Sequence, residues 1–148
     1  RFFLHNIHLT TFVTLILARF EPGDHTLVYA NAGHNPPIHT RKVDGRSLAT
    51  SWLMPTGAAI GLVEEYHVSS DKLDLTPGDT LLFYTDGLTE AVNERIEEFG
   101  DERLEKLVTL NHDLPAKDLV WALRQTLQEY TGGRPLADDT TIVACKIL

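Results

Sequence analysis

The sequence has one cysteine and few basic residues: 13 Lys and Arg stand against 21 Asp and Glu, a formal net charge of −8 over 148 residues. The lone Cys145 excludes an internal disulfide. Its place in an apolar run predicts a buried, inert thiol and a cytoplasmic protein. With no basic cluster to offset the acidic balance, neither nucleic acid nor an anionic membrane is expected as the main partner, because both need a basic face. Long hydrophobic runs are absent too. Phe12 to Ala18 falls far short of the ~20 residues of a membrane helix, so no membrane insertion is expected. No signal peptide is expected, since Arg1-Phe2-Phe3-Leu4 gives way at once to His5 and Asn6. The first residue is not Met, which predicts a piece of a longer protein. There is no internal repeat, low-complexity tract or linker. Thr56 to Leu62 carries two glycines but lacks the Gly-Lys-Ser/Thr ending of a phosphate loop. His5, His8, His25, His39, His67 and His112 show no ligand spacing with Cys or Glu.

What is present suits one domain, or a large piece of one, with an ordinary 43% of hydrophobic residues. Residues 1–9 are expected to be the end of a helix. Strands are expected at 12–20 and 26–31, joined as a hairpin through Glu21 to Asp24. Ile38 to Thr40 predicts a short strand, Asp44-Gly45 a hairpin turn, and Tyr66 to Leu75 a further strand. One helical turn follows at 88–93. Asp101 is placed to cap a helix over about 102–110. In a longer helix, about 116–130, Leu119, Leu123 and Leu127 recur at four-residue spacing with Val120 beside them, and Gly132-Gly133 ends it. A last strand spans 140–147. Strands in runs, then helices, then a returning strand indicate an α+β fold with antiparallel sheet.

Two acidic stretches carry the chemistry. Leu81-Leu82-Phe83-Tyr84 does not alternate, which predicts a central strand covered on both faces. It leads straight into Thr85-Asp86-Gly87. A carboxylate at the end of such a strand is rigidly held, and Gly87 lets the backbone turn closely around whatever Asp86 binds. Ala137-Asp138-Asp139-Thr140-Thr141 precedes the final strand. Adjacent carboxylates repel unless a cation intervenes. If Asp86 and Asp138 approach in space, they suit oxygen-liganded Mg²⁺ or Mn²⁺ rather than zinc. The plain alternative is an Asp-Gly turn and a solvated loop.

Several stretches occur in an order that resembles a known family: Phe12 to Leu15, Tyr29 to Pro37 with its Asn-Ala-Gly-His-Asn-Pro-Pro turn, Gly57 to Leu62, Leu75 to Asp79, Tyr84 to Ala91, Phe99-Gly100 and Asp138 to Thr141. The set is similar to the SpoIIE/RsbU-type branch of the PPM (protein phosphatase 2C-like) metal-dependent serine phosphatases. The resemblance implies a PPM-like α/β/β/α sandwich of mainly antiparallel sheets with flanking helices, here the C-terminal portion of a single phosphatase domain over 1–148. It implies hydrolysis of phosphoserine or phosphothreonine with two or more Mn²⁺ or Mg²⁺ ions. The implied substrate is a phosphorylated STAS-type anti-sigma-factor antagonist in bacterial partner switching; a homodimer stays open. Residue by residue, it makes Asp86 and Asp138 the catalytic, metal-binding aspartates. Asp139 and Gly87 are adjoining metal-site positions. The acidic motifs of the family's front half have no match here. His34 is expected to hydrogen-bond its own loop rather than act as an acid. A catalytically inactive partner-binding module and a metal-dependent hydrolase of small phosphate esters are the competing readings.

Overall fold

The computed structural model describes residues 12–148 apart from positions 22, 46 and 64. The helix expected over residues 1–9 lies outside the described residues. The chain divides into two compact units, one from Arg1–Pro36 and Leu53–Thr76, the other from Pro37–Trp52 and Pro77–Leu148.

The first unit holds a three-stranded antiparallel sheet in the order β1-β2-β5, from β1 (Leu15–Glu21), β2 (Thr26–Ala32) and β5 (Asp71–Asp74). The expected hairpin is present, with Leu15 opposite Ala32 and Glu21 opposite Thr26. The 66–75 stretch is shorter as a strand than its composition predicts, because Val68 makes only an isolated bridge to Gly57. Beyond β2 the chain turns on Asn31. This fully buried side chain accepts from the His34 amide at 2.8 Å, donates to the His34 carbonyl at 3.0 Å and reaches the Leu53 carbonyl at 3.3 Å. His34 Nδ1 lies 3.0 Å from the Thr14 hydroxyl. The ring is thus tied to the segment leading into β1 rather than to its own loop, and only the His34 backbone is held within the loop, by Asn31.

The second unit holds a four-stranded antiparallel sheet in the order β4-β3-β6-β7, from β3 (Ile38–Val43), β4 (Ser47–Trp52), β6 (Thr80–Tyr84) and β7 (Ile142–Lys146). Asp44 and Gly45 turn the β3–β4 hairpin with φ of 53° and 67°, the pair of positive angles that a two-residue hairpin loop needs. Strand β4 was not legible as a strand: Ser47, Ala49 and Ser51 are exposed and only alternate residues are half-buried. As expected, β6 is central and almost wholly buried.

Three helices belong to this unit: α1 (Asp86–Thr89), α2 (Gly100–Leu110) and α3 (Ala116–Tyr130). The turn expected at 88–93 begins earlier, at Asp86 itself. Asp101 does not cap α2. It lies inside the first turn, and its carboxylate accepts from the Tyr84 hydroxyl at 3.3 Å. Helix α3 keeps its expected bounds, with Leu119, Leu123 and Leu127 buried against Leu82, Tyr84, Leu104 and Val108. Burying such a leucine stabilises by roughly 1.5–3 kcal/mol. The Gly133 amide closes the helix end on the Gln128 carbonyl at 2.9 Å, at a φ of 74° that favours glycine. Among the described residues no helix is long and apolar enough to cross a membrane.

Candidate metal centre

Pairing of β6 with β7 sets the site. The ladder ends at Tyr84 opposite Ile142, so the next residues of both chains leave the sheet side by side. The Thr85 amide donates to the Thr141 carbonyl at 3.1 Å. The Thr85 hydroxyl then donates to the Asp139 carbonyl at 3.1 Å and accepts from the Thr141 amide at 2.9 Å. Residues 85–87 and 138–141 thereby become one ledge.

Gly87 is required by this closeness. A Cβ there would stand 2.6 Å from the Asp139 carbonyl oxygen and 3.1 Å from the Thr140 hydroxyl. The reason differs from a tight turn around Asp86: Gly87 lies within helix α1, and what needs the space is the opposing backbone. The Thr140 hydroxyl beside it is buried without a hydrogen-bond partner.

The three candidate carboxylates, Asp86, Asp138 and Asp139, are all exposed. Asp86 accepts from the Gly87 amide at 3.0 Å, and Asp138 from the Asp139 amide at 2.7 Å. Each uses one oxygen and leaves the other unpaired among the described residues. The chemistry of this donor set, carboxylate and carbonyl oxygens with no imidazole or thiolate, fits a hard divalent ion and not zinc. It is a partial shell: among the described residues, no three His, Cys, Asp or Glu side chains gather closely enough to hold a metal ion.

Asp138 and Asp139 also line a cleft of about 840 Å³ between α3 and the chain that follows it. Arg124 of α3 and Arg134 of the following loop line the same cleft. Sequence reading singled out neither; as isolated arginines on an amphipathic helix and in a polar loop, they carried no signal.

A second polar group was also missed, because Asp79 reads locally as a turn residue. It is 1% exposed. Arg41 Nη2 lies 2.5 Å from Asp79 Oδ2, and His39 Nε2 lies 3.0 Å from the same oxygen. The other nitrogen of His39 meets the Ser51 hydroxyl at 3.1 Å. Nearby, the Thr40 hydroxyl lies 2.8 Å from His112 Nδ1, while Lys146 Nζ donates to the His112 carbonyl and, at 2.8 Å, to Thr80. These bonds join β3, β4, β6, β7 and the end of α2. Burial, helped by the Lys146 ammonium, holds the His112 imidazole below its usual value. Cys145 is half-buried rather than buried as expected, and that partial burial raises its thiol.

The family model described as Stage II sporulation protein E (SpoIIE) matches residues 1–148. Protein IcfG of Synechocystis sp. (strain ATCC 27184 / PCC 6803 / Kazusa) is 30% identical over 138 residues, 92% of this chain and 21% of that protein. Phosphoserine phosphatase RsbU of Bacillus subtilis (strain 168) is 26% identical over 143 residues, 95% of this chain and 41% of RsbU. The chain thus spans less than half the length of these relatives. Among solved structures, the SiaA-PP2C domain of Pseudomonas aeruginosa is 26% identical with a TM-score of 0.76, covering 97% of this chain and 55% of that one. The SpoIIE phosphatase domain of Bacillus subtilis, presoaked with Mn, shares the fold at 20% identity and a TM-score of 0.66, over 90% of this chain and 56% of that one. With its whole length matched, this chain belongs to the SpoIIE family, within the PPM-type phosphatase family of the SpoIIE, RsbU and SiaA kind.

Proposed function

We propose that the full-length protein is a Mn²⁺- or Mg²⁺-dependent phosphatase of phosphoserine or phosphothreonine on a regulatory phosphoprotein, and that this chain is the C-terminal portion of its phosphatase domain. The substrate class is a STAS-type anti-sigma-factor antagonist acting in the cytoplasm. That choice rests on the family resemblance, and the phosphoserine part of it on the similarity to RsbU, a phosphoserine phosphatase. The observation that carries the reading is the bonding of Thr85 to the Asp139 carbonyl and the Thr141 amide. It brings the Asp86 loop and the Asp138-Asp139 loop together.

Asp86 and Asp138 are the residues that would hold the ions, with Asp139 and the Gly87 backbone adjoining. A bound divalent pair supplies a water deprotonated near neutral pH and positive charge for the phosphoryl oxygens. This chain's own work is to hold anionic oxygens on a rigid ledge and to keep the Gly87 position open for the opposing carbonyl. No cysteine or serine nucleophile is needed, so the half-buried Cys145 is no obstacle.

The absence of a three-ligand cluster among the described residues favours a second reading, a partner-binding module without catalysis. One experiment separates the two. The full-length protein is assayed with Mn²⁺ on a phosphoserine protein and on p-nitrophenyl phosphate, beside Asp86→Asn and Asp138→Asn. Turnover of the phosphoprotein that EDTA stops, and that either substitution lowers at least about a hundredfold, is expected, because such a loss is the usual scale for removing one transition-state contact. Undiminished turnover in either variant would overturn the assignment. No turnover in the wild type, with retained binding of the phosphoprotein, would favour the second reading. Turnover of the small ester alone would point to a small-ester hydrolase.

A further inference from the structure

We propose that the cleft beside Asp138 and Asp139 is a recognition subsite for acidic side chains flanking the phosphorylated residue of the substrate, read by Arg124 and Arg134. The inference rests on the phosphatase reading above and adds a substrate preference to it.

Val120, Arg124 and Gln128 of α3 recur four residues apart, so one face of the helix forms one side of the cleft, and Asp138 and Asp139 line it too. Arg124 is exposed and makes no ion pair among the described residues. Arg134 lies 4.0 Å from Glu94, with the two side chains 57% and 76% exposed. A pair so distant and so wet holds little and yields readily to a better partner. The plain alternative is that the arginines neutralise Asp138 and Asp139. Among the described residues, however, no ion pair joins either arginine to either aspartate.

The chemistry of the occupant follows from charge. The chain carries −8 overall, which disfavours an acidic partner in general. In the cleft two guanidinium groups offset the Asp138 and Asp139 carboxylates, and ions held on those carboxylates would leave the cleft positive. The planar guanidinium forks match carboxylates in a bidentate way that a lysine does not. The phosphoryl group belongs on the Asp86–Asp138 ledge by the reading above. The neighbouring arginines are then left for the carboxylates on either side of it.

The test is direct binding by the full-length protein in Mn²⁺, with the phosphoserine replaced by its non-hydrolysable phosphonate so that no turnover intervenes. Fluorescence anisotropy compares such a peptide flanked by Asp on both sides with the same peptide flanked by Asn. The wild type is expected to prefer the Asp peptide about tenfold, the scale of one or two charge-assisted hydrogen bonds. The Arg124→Gln/Arg134→Gln double variant is expected to lose that preference. Both positions are exposed, and an unchanged urea midpoint verifies the fold. If the double variant fails to fold, Arg124→Glu takes its place and is expected to prefer a Lys-flanked peptide. No preference in the wild type, or a preference that survives the substitutions, would overturn the proposal. A protein that has the preference but hydrolyses neither phosphoserine counterpart with Mn²⁺ would sink the phosphatase reading and leave the acidic subsite standing. Hydrolysis without preference would sink the subsite alone.

Discussion

The Thr85 hydroxyl donates to the Asp139 carbonyl at 3.1 Å, across 54 positions of sequence, and accepts from the Thr141 amide at 2.9 Å. One side chain thus satisfies two backbone groups of the acidic loop and fixes its height beside Asp86.

Thr85→Val keeps the shape and removes both bonds. It is expected to cost about 1–3 kcal/mol, the range for leaving backbone partners unpaired. Thr85→Ser retains the hydroxyl and is expected to lie close to wild type. Urea unfolding of both variants checks the stability, and calorimetric Mn²⁺ titration of the full-length protein checks the loop. Equal behaviour of the valine and serine variants would remove the hydroxyl from the account.

Gly87→Ala puts a methyl group 2.6 Å from the Asp139 carbonyl oxygen. The opposing atom is backbone and cannot swing aside, so the ledge must part. Overpacking of this kind costs about 1–3 kcal/mol, with weakened Mn²⁺ binding as a second effect. Gly23→Ala, where nothing lies within 4 Å, is the control and is expected to change little. Thermal melts of the two variants side by side test the contrast.

Asp79→Asn breaks a buried pair and leaves Arg41 and His39 facing a neutral amide. Removing one partner of a buried ion pair typically costs about 3–5 kcal/mol, and Arg41 is still 30% exposed. A loss toward the lower end is therefore expected in urea unfolding. A loss below about 1 kcal/mol, the scale of a surface pair, would mean that the network is solvated.

His112 gives a pH dependence. Burial first, then the Lys146 ammonium, lowers its proton affinity in the folded chain. Unfolded histidine takes up a proton near pH ~6.5. Between that value and the lower folded value, the unfolded chain binds more protons, so stability is full above about pH 6.5 and falls as the pH drops through that window. His112→Asn is expected to flatten the slope of unfolding free energy against pH there, whatever it does to absolute stability. A slope equal to that of wild type would assign the effect to other groups.

Periodicity made much of this fold legible. The apolar run at 81–84 marked a central strand, and the Leu119, Leu123 and Leu127 stripe marked α3, because burial on one face or on both leaves a local trace in the chain. Strand β4 left only a weak one, the alternation of Leu48, Thr50 and Trp52 with exposed Ser47, Ala49 and Ser51. The strand gains its backbone bonds from β3 while showing solvent its serines, so tertiary pairing overrides a weak local pattern.

By itself, the sequence determined the family, the α+β order of elements and the two acidic stretches, since each is carried by residue types in a short span. The tertiary structure alone decided that Thr85 clamps the acidic loop, that Gly87 yields space to Asp139, that Asp79 is a buried anchor, and that Arg124 and Arg134 share a cleft with Asp138. Each of these depends on the register of β6 against β7 or β3, or on the packing of α3. A register is fixed by many weak contacts summed over distant positions, and no single stretch of sequence records that sum.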